Sequence, residues 1–131
     1  SGANDTLREK VGEDYPRDTF RHEQDLLVTE NGKTALFAGC AHCGIVNILK
    51  SAEDVLGRAP DAVFAGFHLY NPSLGKSEPD ELVDAVGEKL REDKVAHYFT
   101  GHCTGKEAYE RLKRKLGDRL GEMPAGSDFT V

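Results

Sequence analysis

The chain has 131 residues, 38% apolar and 31% charged, with 17 Lys+Arg against 23 Asp+Glu and a formal net charge of −6. That describes one globular domain with a modest core, and it excludes a disordered chain. The acidic balance lacks the positive field of a nucleic-acid binder, and no apolar run approaches the roughly 20 residues of a membrane-spanning helix, so neither nucleic acid nor membrane is expected as a partner.

Residues 1–17 are polar without a clear period and are expected to form an arm. Ser1-Gly2 reads as the remnant of a cleaved tag. The body, residues 18–131, opens with a hairpin. Strands are expected over Asp25 to Glu30 and Lys33 to Ala38, joined by Asn31-Gly32, a pair that tolerates positive φ at both positions. Helical spacing then runs from Gly44 to Leu56, with Gly57 suited to the C-terminal cap. Asp61 to Phe67 reads as a short buried strand and residues 71–77 as a loop. A helix follows, carrying Leu82, Val83, Val86 and Leu90, with Pro79 near its first turn and Ser77 and Asp80 in a capping arrangement. Val95 to Phe99 is the third strand of the series and Gly105 to Leu116 the third helix. A short strand is expected near Asp128 to Val131. The expected fold is therefore α/β: a hairpin followed by three β-α units, with parallel strands and right-handed crossovers. Ligand sites in such sheets collect at the carboxyl ends of the strands.

Three of the five histidines fall in equivalent places. The first β-α strand runs into Gly39-Cys40-Ala41-His42, the second into Gly66-Phe67-His68 and the third into Gly101-His102. Each is a strand, a glycine and then a histidine, and glycine allows both a sharp turn and close approach of a ligand. One such histidine alone reads as a structural residue. Three in register at consecutive strand ends read as a site, and imidazole is a ligand for zinc, iron and related metals. His97, inside a strand, reads as structural, and His22, in a polar run, as solvated or at an edge.

The cysteines offer other readings. Three are too few for a disulfide scaffold, and the odd count leaves at least one thiol free, as in a reduced cytoplasmic domain. Cys40-Ala41-His42-Cys43 is a C-x-x-C between strand and helix, the placement of a redox-active thiol pair. With His102 and Cys103, these residues could also build a closed structural zinc site. Taken singly, each cysteine reads as a small packing residue. The run Cys103-Thr104-Gly105 opens a helix, whose free N–H groups and dipole favour an anion such as a phosphate; an ordinary helix start is the alternative.

The runs Gly39 to Leu49, Gly66-Phe67-His68-Leu69 and Thr100 to Gly105 together resemble the C-terminal half of metallo-β-lactamase-fold hydrolases. The resemblance is closest to the dihydropteridine-linked ribofuranosylaminobenzene 5′-phosphate synthase-like branch. Phe20 to Gln24 shares it, and it covers about residues 18–126. It implies half of a four-layer αββα sandwich with metals at the sheet edges where two similar halves meet. It implies that His42 and His102 hold a divalent metal, zinc above all, with iron or manganese as alternatives. His68 stands where relatives place a bridging aspartate, as ligand or substrate contact. The superfamily's His-x-His-x-Asp-His string occurs nowhere in this sequence. The expectation is thus a portion of a metal-dependent hydrolase, inactive alone, whose partner is the missing N-terminal half or a second copy in a homodimer. Its expected substrate is a small molecule, with a phosphate held at Cys103, Thr104 and Gly105. A non-catalytic binding or assembly domain with the same fold and the C-x-x-C redox domain are the alternatives.

Overall fold

The computed structural model describes residues 2–131. Seven strands and three helices follow in the order β1 (Asp25–Glu30), β2 (Lys33–Ala38), α1 (Ile45–Leu56), β3 (Ala62–Phe64), β4 (Tyr70–Asn71), β5 (Lys76–Ser77), α2 (Asp80–Glu92), β6 (His97–Thr100), α3 (Lys106–Leu116) and β7 (Leu120–Glu122). The main sheet has the order β1-β2-β3-β6-β7, and β4 pairs with β5 as a separate two-stranded ribbon. β1 and β2 are antiparallel across the expected turn, where Asn31 (φ 51°) and Gly32 (φ 79°) both adopt left-handed backbone. Every other pairing in the main sheet is parallel.

From β2 onward each strand is laid beside its predecessor in one direction. Right-handed crossovers that all step the same way put every helix on the same face. Leu36, Val63, Tyr98 and Leu120 point to that face and form one buried cluster with Ile45, Ile48 and Leu49 of α1, Val83 and Leu90 of α2, and Ala108 and Leu112 of α3. Arg111 on α3 grips Asp84 on α2 through two hydrogen bonds of 2.8 and 2.5 Å. Arg119 replaces a capping glycine at the end of α2, donating to the carbonyls of Leu90, Arg91, Asp93 and Val95.

The opposite face carries no helix. Leu26, Phe37, Phe64 and Phe99 are in register across it. The rings stack, Phe37 on Phe64 at 4.9 Å and Phe64 on Phe99 at 4.8 Å between centroids. Leu26, Val28 and Phe37 remain exposed.

Four local expectations change, the first being that residues 71–77, expected as a loop, are framed by the β4–β5 ribbon. The closing strand is Leu120–Glu122, not a segment near Val131, because Leu120 enters the core and pairs with Tyr98. Phe129 instead packs on Phe99, 4.4 Å between centroids, on the open face. Pro79 itself caps α2 without a side-chain bond, while the Ser77 hydroxyl reaches across to Glu107. The arm is docked: Ala3 and Asn4 are buried, the Ala3 N–H donates to the Glu78 carboxylate, and Asn4 Nδ2 donates to the His42 carbonyl at 2.8 Å.

Candidate functional site

The three loops that leave β2, β3 and β6 at their carboxyl ends are stitched to one another. The Gly66 N–H donates to the Gly39 carbonyl (2.8 Å), Ala65 N–H to Phe99 (3.0 Å) and Leu69 N–H to Cys103 (3.1 Å). Beneath them, Thr104 Oγ1 accepts the Phe67 N–H at 2.9 Å and meets Thr100 Oγ1 at 2.6 Å. Each loop also holds one non-glycine residue in left-handed backbone: Ala41 (φ 48°), His68 (φ 48°) and His102 (φ 50°). Such conformations persist only where the surroundings fix them.

The expected histidines divide into two groups. His42 and His68 meet edge to face, 4.4 Å between ring centroids, and Phe20 stacks on the other side of His42 at 4.5 Å. His102 lies elsewhere on the edge, its Nδ1 3.6 Å from Cys40 Sγ. Cys103 Sγ points to the Cys40 carbonyl at 3.7 Å. The donor atoms of Cys40, His102 and Cys103 all lie within 4.8 Å of one another, a convergence no other such group among the described residues matches.

Glu23 organises the first group, a role its position in the run Phe20 to Gln24 does not announce. Its carboxylate accepts the N–H groups of His42 (2.7 Å) and Cys43 (2.8 Å) and lies 3.2 Å from His42 Nδ1. Burial alone would raise its pKa; the hydrogen bonds from Cys43 and His42 outweigh that and hold the carboxyl below its ordinary range. A carboxylate beside Nδ1 favours the tautomer that leaves Nε2 with the lone pair a metal takes.

His68 is only 6% exposed, and neither ring nitrogen has a well-formed hydrogen bond among the described residues, although the Ala3 backbone lies against the ring. Burial, with the neighbouring His42, lowers its pKa and favours the neutral ring. A buried imidazole left unpaired on both nitrogens is costly unless something else binds it.

Cys43 of the C-x-x-C pair lacks the lowered pKa of a redox-active thiol, and so does Cys103. Hydrogen bonding to Glu23 pushes Cys43 up to about 11, and burial pushes Cys103 up to about 12. Exchange chemistry calls for the opposite shift.

At the start of α3, Gly105 (φ 77°) is the N-cap and packs so closely on Tyr70 that a Cβ there would lie 2.7 Å from that side chain. Thr104 is buried with its hydroxyl engaged inside the fold. With Thr104 and Gly105, His102, Lys106, Tyr109 and Glu122 line a cleft of about 400 Å³. His22 and His97 are exposed, His22 beside Asp18 and 6.3 Å from the Phe20 ring, and His97 beside Phe99 on the open face.

No family model matches the chain. Over 101 residues the chain is 30% identical to a 7,8-dihydropterin-6-methyl-4-(β-D-ribofuranosyl)-aminobenzene-5′-phosphate synthase of Methanocaldococcus jannaschii, covering 76% of this chain and 32% of that protein. Its structure matches that of a metal-dependent hydrolase of the β-lactamase superfamily with a TM-score of 0.80 at 24% identity, over 98% of this chain and 50% of the other. The chain has the fold of half of that hydrolase. It spans about a third of the length of the curated relative and half that of the solved hydrolase. The resemblance carried by the three glycine-histidine motifs is thus the relationship found.

The donors of this half-fold suit a divalent metal. His68 offers two nitrogens without a well-formed hydrogen bond beside His42, and Cys40, His102 and Cys103 present convergent nitrogen and sulfur donors.

Proposed function

We propose that the chain contributes the C-terminal half of the site of a metal-dependent hydrolase or a related transferase. The observation that carries this reading is His68: buried, without a well-formed hydrogen bond on either nitrogen among the described residues, and packed on His42 at the carboxyl edge of a parallel sheet. His42, beside His68, and His102, beside Cys40 and Cys103, would hold metal, zinc first and iron or manganese as alternatives, and His68 would be a further ligand or a substrate contact. When bound, such a metal acts as a Lewis acid and lowers the pKa of a coordinated water.

The chain's own residues supply positioning. Glu23 fixes the His42 ring and the loop that carries it. The hydroxyls of Thr100 and Thr104 hold the β3 and β6 loops at a fixed spacing. A small phosphorylated substrate is the ligand class in this reading. The relative's name carries a 5′-phosphate, and the α3 start offers free N–H groups and Lys106 beside the cleft. Thr104 is left out of that contact because it is buried.

The helix-free sheet face, covered by Phe129 only over Phe64 and Phe99, supports a second part of the proposal. An aromatic row with Leu26, Val28 and Phe37 exposed is a surface for the absent half or for a second copy of the chain. With two or three ligands of its own, the chain by itself would show little hydrolysis.

Zinc titration by calorimetry tests the site. Binding by the unmodified chain that is weakened at least tenfold by each of His42→Ala and His102→Ala supports the reading. Zinc binding indifferent to both changes would favour a binding or assembly domain that keeps the fold without its chemistry.

A further inference from the structure

We infer that Cys40 and Cys103 join His102 in a thiolate-bearing site for a borderline-soft divalent cation such as zinc. The inference deepens the proposed metal centre and rests on it for His102 alone. The two sulfurs are additional ligands, beyond the imidazoles.

Three independent features of the fold aim these donors at one point. Cys40 follows Gly39 out of β2, and Cys103 follows His102 out of β6, so they arrive from non-adjacent strands of the sheet. Between them runs the β3 loop, where Gly66 leaves the room that the Cys103 sulfur occupies. A Cβ at Gly66 would sit 2.6 Å from Cys103 Sγ. The Gly66 N–H ties this loop to Gly39 at 2.8 Å, directly before Cys40. The left-handed backbone of His102 (φ 50°) sets its ring beside Cys40.

The spacing suits tetrahedral coordination. With metal–sulfur and metal–nitrogen bonds of about 2.3 and 2.0–2.1 Å, neighbouring S and N ligands of a tetrahedral ion stand roughly 3.5 Å apart. Cys40 Sγ and His102 Nδ1 are 3.6 Å apart, and all three donors fall within 4.8 Å. Cys40 and Cys103 are half-buried and His102 is exposed, which leaves one side of the group open for a fourth ligand. Two thiolates and one imidazole favour zinc over magnesium or calcium, which prefer oxygen. Binding converts both S–H groups to metal–thiolate bonds and passes their two protons to the buffer.

Cobalt(II) titration of the full chain under anaerobic, reducing conditions tests the assignment. The expected result is a near-ultraviolet sulfur-to-cobalt charge-transfer band, roughly halved by Cys40→Ser or Cys103→Ser, absent in the double variant and unchanged in Cys43→Ser. On the unmodified protein, one equivalent of zinc should slow alkylation of Cys40 and Cys103, read by peptide mass spectrometry, by tenfold or more while leaving Cys43 reactive. Cobalt binding without the band, together with no protection from alkylation, overturns the thiolate assignment. If that binding is still lost in His42→Ala, the imidazole reading survives by itself. A band that persists in His42→Ala and His68→Ala supports the thiolate site and separates it from the His42–His68 pair. No cobalt binding at all overturns both.

Discussion

Thr104→Val removes one hydroxyl from the joint beneath the strand-end loops and keeps the side-chain shape. In the native fold Thr104 Oγ1 accepts the Phe67 N–H at 2.9 Å and bonds Thr100 Oγ1 at 2.6 Å, with Thr104 1% exposed. The valine leaves the Phe67 N–H buried and unpaired, at a cost of about 1–3 kcal/mol, and deletes a hydroxyl–hydroxyl bond worth about 1 kcal/mol. The sum is a loss of about 2–4 kcal/mol. For a domain of this size that corresponds to a fall in Tm of roughly 10 °C. Urea unfolding followed by far-ultraviolet circular dichroism reads the loss. Thr104→Ser, which retains the oxygen, should stay within about 1 kcal/mol of the native chain. In a double-mutant cycle with Thr100→Val, the two changes should be strongly non-additive because they share one bond. A Thr104→Val chain within about 0.5 kcal/mol of native stability would refute the reasoning, since a surface change away from any special contact costs no more than that.

Glu23→Gln should weaken zinc binding about 10- to 100-fold, the usual cost of losing the carboxylate that orients a metal-binding histidine, with calorimetry as the readout; unchanged affinity would remove Glu23 from the site. Gly66→Ala forces a methyl to within 2.6 Å of Cys103 Sγ, so it should lower stability by about 1–3 kcal/mol and displace that sulfur, measured by urea unfolding and by the alkylation rate of Cys103. Burial raises the Tyr98 phenol, whose hydroxyl donates to the Leu90 carbonyl at 3.0 Å. A raised folded-state pKa means that its stabilisation is intact below the unfolded value of about 10 and is lost as pH rises above it. Urea midpoints should therefore fall steeply between about pH 10 and 11, and less steeply in Tyr98→Phe, whereas equal slopes would contradict the linkage. Phe37→Asp, placed in the middle of the bare aromatic row, should abolish concentration-dependent association in sedimentation velocity. A native chain that stays monomeric at high concentration would argue against pairing through that face.

Local chemistry made the elements readable. Asn31-Gly32 sets the hairpin, Gly57 ends α1, and helical spacing marks the faces of α1, α2 and α3 that meet the core. The glycine-histidine repeat lies along one edge of the sheet, the carboxyl ends of β2, β3 and β6. What periodicity could not resolve was long-range. Leu120–Glu122 is too short to carry an alternation, and only its pairing with Tyr98, across the last crossover, makes it a strand. The division of the histidines depends on backbone that turns left-handed at His68 and His102, which no local signal at non-glycine positions announces. Thr104 has the residue type of a helix cap and the sequence position of an anion contact. The fold turns it inward because the Phe67 N–H and Thr100 hydroxyl both need a partner there. Glu23 was within sight in the sequence, but its bonds to His42 and Cys43 span 19 and 20 residues.

The central claim is that the carboxyl edge of this sheet binds a divalent metal through residues of this chain. Elemental analysis of protein purified without chelator or metal-affinity resin tests it most directly. The account predicts about one equivalent of zinc, iron or manganese per chain, reduced to background in His102→Ala. Background metal in the native chain, or full occupancy retained in His102→Ala, would contradict it.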